Sequence, residues 1–259
     1  MVIWFLLIFV LYVFLIAPST SKRTFKQTHY AHRGFHSADK GIKENTLPAF
    51  EAAIEKNYGI ELDVQLSKDG QVVVYHDDDL FRLEKDKRQV SDCTLEELRT
   101  YQLPLLTEVL QTVDGKVPLI VELKNLPFKK LVSFCEQVYD ILKEYSGPYC
   151  IESFNPMIVA WFKKQAPEVM RGQLIQPTKE YPNVWLGFFL NTYLYQFMTR
   201  PHFIAFELKT SHINPSFVIN QLLGVQSALW TVRSPKEERA NIDTYIFESY
   251  FPNESFKKN

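Results

Sequence analysis

Between residues 28 and 250 the chain alternates short β-type runs with stretches of helical apolar spacing. Candidate strands fall at residues 29–32, 60–65, 119–123, 149–154, 172–175, 203–208, 228–232 and 244–248. Helical patterns separate most of them. Residues 46–57 place Leu47, Phe50 and Ile54 on one face, with Pro48 tolerated in the first turn. Thr94-Leu95-Glu96-Glu97 is a capping-box helix start, and residues 107–113 and 128–143 carry further helical patterns. Eight strands alternating with helices, with no low-complexity stretch or repeat of fixed period, predict a single α/β domain closed as a (β/α)8 TIM barrel over residues 28–250.

A ninth β-run, residues 71–76 (QVVVYH), follows the second strand after only Leu66-Ser67-Lys68-Asp69-Gly70. A parallel crossover needs about a dozen residues, so this run cannot be the next barrel strand. Asp69-Gly70 instead predicts a two-residue hairpin turn that pairs Lys68 with Gln71 and brings His76 opposite Asp63. The barrel therefore carries a β-hairpin excursion after its second strand.

The beginning of the chain has a different pattern. Residues 2–17, VIWFLLIFVLYVFLIA, form an unbroken apolar run followed by Lys22, Arg23 and Lys26. That length predicts a short N-terminal transmembrane helix within an anchor of residues 1–20. A cleaved signal peptide competes, with Ala17-Pro18-Ser19 as small residues for cleavage, but no basic residue precedes the run. The basic flank then predicts a single-pass membrane protein with its catalytic domain on the cytoplasmic side.

Composition narrows the partners. A net charge of −1 with 23% charged residues provides no basic field for nucleic acid. Cys93, Cys135 and Cys150 are odd in number and lack CxxC spacing, so they read as buried thiols and not as a disulfide framework or zinc site.

Reactive side chains cluster at predicted C-terminal strand ends, where β/α barrels hold their active sites. His32-Arg33-Gly34 closes the first strand and Glu44-Asn45-Thr46 opens the next helix. Glu61 and Asp63 share one side of the second strand, Glu122 is spaced likewise from Lys124, and His76 returns by the hairpin. Three carboxylates with open positions suit Mg²⁺ or Ca²⁺. Arg33 can grip a phosphate in bidentate fashion, Lys124 can add a point charge, and two histidines can supply base and acid. His29, His36, His202 and His212 lack such a setting and read as surface or structural residues.

The segments AHRGFHS, KENTLPAFEAAIEKNYGIELDVQLSKDGQVVVYHDD, TLEELR, PLLTEVL, VELK, ESF and WTV run in order from residue 31 to 232. Together they resemble the glycerophosphodiester phosphodiesterase family. The resemblance implies a barrel of the phosphatidylinositol-phospholipase-C-like kind. It also implies metal-dependent hydrolysis of glycerophosphodiesters to glycerol 3-phosphate and an alcohol. By position, His32 and His76 would be the acid/base pair, and Glu61, Asp63 and Glu122 would bind the divalent metal. Arg33 and Lys124 would contact the phosphate, Glu44 and Asn45 would brace the first loop, and Phe154 and Trp230 would line the substrate pocket. Two departures stand out: Lys43 replaces the usual proline before ENT, and the last strand ends in Phe247-Glu248-Ser249 where an aspartate is usual.

The expected partners are a small-molecule glycerophosphodiester or lysophospholipid and, through the N-terminal helix, the membrane. Rival readings are lysophospholipase D or phospholipase-C-like activity on lipids, and a catalytically silent membrane-anchored binding protein. Residues 183–198, NVWLGFFLNTYLYQFM, are read as a barrel helix packing inward, with an apolar lip facing lipid as the alternative.

Overall fold

The computed structural model describes residues 2–25, 28–209 and 214–252. Nine strands form: β1 Tyr30–Ala31, β2 Gly59–Leu66, β3 Val72–Val74, β4 Leu119–Leu123, β5 Tyr149–Ser153, β6 Met170–Ile175, β7 Phe203–Glu207, β8 Gln226–Val232 and β9 Thr244–Phe247. Because β1 pairs in parallel with both β2 and β9, eight parallel strands close a barrel of the TIM type, while β3 runs antiparallel beside the end of β2. Strands β2 and β4 are buried along their whole length, as expected for parallel strands covered on both faces.

Alternation with a period of two divides each barrel strand between two cores. Outward residues such as Leu62, Val121, Ile151 and Ile204 pack against the surrounding helices. Inward residues form a separate cluster of Tyr30, Ile120, Cys150, Phe203, Ala205, Ala228 and Ile246, plugged by Phe25. One step further along the same inward rows come the polar residues of the mouth. Thus Glu122 follows Ile120, Glu152 follows Cys150, Glu207 follows Ala205 and Trp230 follows Ala228.

The excursion after β2 is larger than a hairpin. Val73, Tyr75, Leu80, Val90, Cys93, Leu98 and Leu103 make a third apolar cluster under it. The predicted capping box is present: the Thr94 hydroxyl accepts from the Glu97 amide and the Glu97 carboxylate accepts from the Thr94 amide at 2.8 Å.

The register differs from the expected one by a single residue. Val64 faces Val74 and Leu66 faces Val72, and the Ser67 amide donates to the Gln71 carbonyl at 3.0 Å. The loop is therefore Lys68-Asp69-Gly70, three residues long, with Gly70 at φ +76°. Asp63 lies opposite Tyr75, whose amide donates to the Asp63 carbonyl at 3.0 Å. His76 lies just beyond the paired segment.

The N-terminal expectation is overturned. The helix Val2–Ile16 has 15 residues, about 22 Å at 1.5 Å per residue, against an apolar bilayer core of about 30 Å. No helix among the described residues is long and apolar enough to cross a membrane, so the single-pass, transmembrane reading is not supported. The helix stops at Pro18, which disfavours helical geometry at Ala17 before it. Its end is stitched to the barrel wall instead. Arg200 donates to the carbonyls of Phe14 and Ala17, each at 2.8 Å, Tyr12 bonds Ser216 at 2.7 Å, and Ile16 is buried. Lys26 and His212 lie outside the described residues.

The aromatic segment also departs from inward packing. In the helix Val184–Asn191, Gly187 and Leu190 are buried, while Val184, Trp185, Leu186, Phe188 and Phe189 are exposed.

Candidate active site

The mouth of the barrel, at the C-terminal strand ends, holds a cavity of about 300 Å³ lined by His32, Arg33, Glu61, His76, Glu122, Phe154 and Trp230 among others. Every residue proposed from the sequence meets here or braces a residue that does.

Three buried carboxylates form its floor. Glu61, Asp63 and Glu122 are 3%, 1% and 8% exposed, and each offers an oxygen within 4.8 Å of the others. Such burial would be prohibitive without compensation. For Asp63 the compensation comes from Lys124 at 3.1 Å, from the Asn45 amide donating at 2.8 Å and from Arg33 at 3.6 Å. Burial opposes ionisation of Asp63, but Lys124, His76 and Arg33 hold its carboxyl well below the usual carboxylate range. Glu61 goes the other way: burial, then the negative charges of Asp63, Glu152 and Glu122, raise it. Burial also raises Glu122, although Lys124 sits 2.9 Å away. Three hard oxygen donors with surplus negative charge are the donor set that a divalent ion such as Mg²⁺ or Ca²⁺ satisfies.

The local backbone explains how Arg33 arrives. Arg33 and Gly34 turn out of β1 with φ of 55° and 79°. A side chain at Gly34 would approach Ala49 and Phe50 to 2.9 Å, so glycine lets the helix Leu47–Glu55 close over this turn. The Arg33 amide then donates to Glu61 at 2.9 Å and its guanidinium donates to Glu44 at 2.7 Å. Burial would raise Glu44, but hydrogen bonds from Arg82 and Arg33 win and lower it to about 2.

Each histidine is oriented by a carboxylate. His32 Nδ1 lies 2.8 Å from Glu248 and His76 Nδ1 lies 2.6 Å from Asp77, which leaves the other ring nitrogen of each for a ligand. Burial pushes the His32 imidazole down to about 4, against the pull of its Glu248 hydrogen bond. Arg82 and Arg233 hold Asp77 and Glu248 in turn, each at 2.6 Å. Burial opposes the ionised form of Asp77, yet the His76 and Arg82 hydrogen bonds bring it to about 2.

Several contributors were not foreseen. Buried Gln65 donates to the carbonyls of Tyr75 at 2.9 Å and Asp77 at 2.8 Å, clamping the segment that carries His76. Glu248, which stands as a departure at the last strand, bonds both His32 and Arg233. His36, read from the sequence as a surface or structural residue, lies 3.8 Å from Glu248. Glu152, the register neighbour of Glu122, lines the cavity too, as do Gln176, Glu180 and Glu207. Reading every strand with a period of two from its inward apolar residue would have found Glu152 and Glu207. No local signal marks Glu180. His29 and His202 are structural as expected: the first accepts from the Tyr245 amide and the second from the Arg171 amide, both at 3.2 Å. All three cysteines are buried and free.

The glycerophosphoryl diester phosphodiesterase family model matches residues 32–248, from His32 to Glu248, the carboxylate that orients it. The chain belongs to this family. It is 35% identical over 163 residues to the glycerophosphodiester phosphodiesterase of Caldanaerobacter subterraneus, a match covering 56% of this chain and 65% of that enzyme. The chain thus spans somewhat less than two thirds of that relative's length. The glycerophosphodiester phosphodiesterase of Thermotoga maritima superposes with a TM-score of 0.66 at 25% identity, covering 87% of this chain and 96% of that one. A phosphodiesterase of Oleispira antarctica, solved with its product sn-glycerol 3-phosphate, shares the fold with a TM-score of 0.68 at 21% identity, covering 86% and 93%.

Proposed function

We propose that this chain hydrolyses glycerophosphodiesters to glycerol 3-phosphate and an alcohol, with residues 28–250 as the catalytic unit. The observation that carries the reading is the convergence of two carboxylate-oriented histidines on the buried Glu61–Asp63–Glu122 cluster, in a chain of this family. In this reading the three carboxylates hold one divalent ion, Mg²⁺ or Ca²⁺, which supplies Lewis-acid neutralisation of a nonbridging phosphate oxygen. Arg33 and Lys124 contact the phosphate, and their own charges are balanced by Glu44 and Asp63. His32 and His76 act as base and acid, each presenting the ring nitrogen that its carboxylate leaves free. The neighbouring glycerol hydroxyl attacks phosphorus as the alcohol leaves with a proton. Water then opens the cyclic phosphate to the monoester. Asn45 braces Asp63, while Phe154 and Trp230 form an apolar wall.

The test is glycerol 3-phosphate release from glycerophosphodiesters, with and without EDTA. EDTA should abolish release, and Mg²⁺ or Ca²⁺ should restore it. Replacing either histidine with alanine should lower kcat by about 10²–10⁴-fold. Full activity in EDTA, or in a Glu61→Ala/Asp63→Ala variant, would remove the metal assignment. Full activity in His32→Ala or His76→Ala would remove the acid/base assignment.

A further inference from the structure

Behind His32 lies a second set of ligating side chains that the reading above leaves unused. His32, His36 and Glu248 each offer a donor atom, and these atoms lie within 4.8 Å of one another. His32 Nδ1 is 2.8 Å and His36 Nε2 is 3.8 Å from the same Glu248 oxygen, Oε2. The second distance is too long for a hydrogen bond, and His36 Nε2 is buried with no such partner among the described residues. Arg233 takes the other Glu248 oxygen at 2.6 Å, which leaves Oε2 for the two rings.

The backbone fixes this arrangement. The His32 amide donates to the Phe247 carbonyl at 2.8 Å and the Glu248 amide to the Val232 carbonyl at 3.0 Å, tying the turn after β1 to the ends of β9 and β8. On either side of His36, the Phe35 amide donates to Ala49 at 2.8 Å and the Ser37 amide to Ile42 at 3.0 Å. Two imidazoles and a carboxylate are a donor set for a borderline ion such as Zn²⁺, whereas the all-oxygen set of Glu61, Asp63 and Glu122 suits hard ions. Zinc bonds of about 2.0–2.2 Å in tetrahedral geometry place donors about 3.3–3.6 Å apart. The 2.8 and 3.8 Å separations straddle that span, and a turn of the His36 ring closes the third. The side chains of His32, His36 and Glu248 are 13%, 22% and 17% exposed, so water can complete the fourth position.

We propose that His32, His36 and Glu248 bind Zn²⁺ as a second metal site that switches His32 off as a base. Without zinc, Glu248 accepts from Nδ1–H of His32, which leaves the Nε2 lone pair free to take a proton. Zinc takes the Nδ1 lone pair, the ring's single proton moves to Nε2, and Glu248 Oε2 passes from that proton to the metal. The ring stays neutral and no proton is lost overall, but its Nε2 can then only donate. His32 lines the mouth cavity while neither His36 nor Glu248 does, so the ion sits behind the ring and not in the diester's place. Only the effect on turnover rests on the phosphodiesterase reading.

Calorimetric titration of zinc chloride into the full chain, with excess magnesium chloride on the carboxylate site, reads the zinc site without turnover. The wild type should bind one Zn²⁺, and His36→Gln should weaken that binding by at least about 10–100-fold, the cost of losing even an outer-shell partner. Cobalt chloride in place of zinc should give the visible absorption of four-coordinate Co²⁺ in the wild type and not in His36→Gln. In the glycerophosphodiester assay with excess Mg²⁺, saturating zinc should lower kcat by about 10²-fold or more, the size of a lost base, with KM nearly unchanged. His36→Gln should turn over nearly as the wild type does without zinc, and should keep that rate when zinc is added. No zinc binding in excess Mg²⁺, or equal binding by the wild type and His36→Gln, overturns the site. Inhibition that more Mg²⁺ relieves, or that persists in His36→Gln, puts the zinc on the carboxylates and overturns the switch, as does zinc binding without loss of turnover. Should no glycerophosphodiester be cleaved, the phosphodiesterase reading fails while the titration still decides the zinc site.

Discussion

The two halves of the barrel mouth are built on opposite electrostatic plans. On the β1–β4 side, Asp63, Glu44 and Asp77 each have a cationic partner, and the side chains lock one another in place. On the β5–β8 side, Glu152 and Glu207 each keep one buried oxygen without a hydrogen bond among the described residues, in a cavity that Phe154 and Trp230 also line. Apart from Glu61, whose carboxyl burial and neighbouring negative charges raise, the first half is preorganised by its own residues. The second stays under-satisfied in a manner that a bound group can correct.

That contrast can be broken most forcefully at Lys124. Removing it leaves Asp63 and Glu122 buried beside each other, so Lys124→Met should destabilise the metal-free protein by about 3–5 kcal/mol. Urea unfolding in EDTA measures this, and adding Mg²⁺ or Ca²⁺ should recover part of the loss by binding only the folded state. A loss below about 1 kcal/mol in EDTA would mean that the paired half does not depend on its pairing.

Gln65 gives the next effect. Gln65→Leu strips the Tyr75 and Asp77 carbonyls of their donor, so a loss of about 1–3 kcal/mol is expected. kcat should fall with it, because His76 lies between those carbonyls.

The opposite half should respond with the opposite sign. Glu152 is 1% exposed, and burial followed by the charges of Glu122 and Asp63 raises its carboxyl well above the usual range. A raised folded value means its stability contribution is complete below the ordinary carboxylate pKa and is lost as pH rises above it. Glu152→Gln should therefore be more stable than the wild type by about 1 kcal/mol at pH 8 in EDTA. The gap should shrink toward pH 4, as unfolding at the two pH values would show.

The smallest effect lies at Arg82, which is 45% exposed in its side chain while holding both Glu44 and Asp77. These two carboxyls are lowered to about 2. Their contribution is present above the ordinary carboxylate range and is lost as pH falls through it toward about 2. Arg82→Gln should cost less than about 1 kcal/mol at pH 7 and flatten the acid limb of the stability profile. An unchanged acid limb would show that the network is ornamental.

The same two halves separate what was legible in the sequence from what was not. His32, Arg33, Glu44, Asn45, Glu61 and Asp63 lie within three short stretches, and strand alternation places Glu61 and Asp63 on one side. Glu152 and Glu207 sit two residues beyond inward apolar residues of β5 and β7, whereas Glu180 lies in a loop after β6 that no local spacing marks. The hairpin loop was misjudged by one residue because Asp-Gly suits both two- and three-residue connections. The chosen register depends on Val72, Val73 and Val74 finding partners in β2 and the excursion's own core.

By itself the sequence determined the alternation of strands and helices, the barrel they imply, and the carboxylates and histidines that share a mouth, because periodicity and turn chemistry act over a few residues. Tertiary structure decided the rest. It stitched the N-terminal helix to the wall through Arg200, passed His76 to Gln65 and Asp77, and gathered an acidic, aromatic wall across the cavity. Those outcomes depend on which distant groups pair in a low-dielectric interior, and that is settled only when the ring of strands closes.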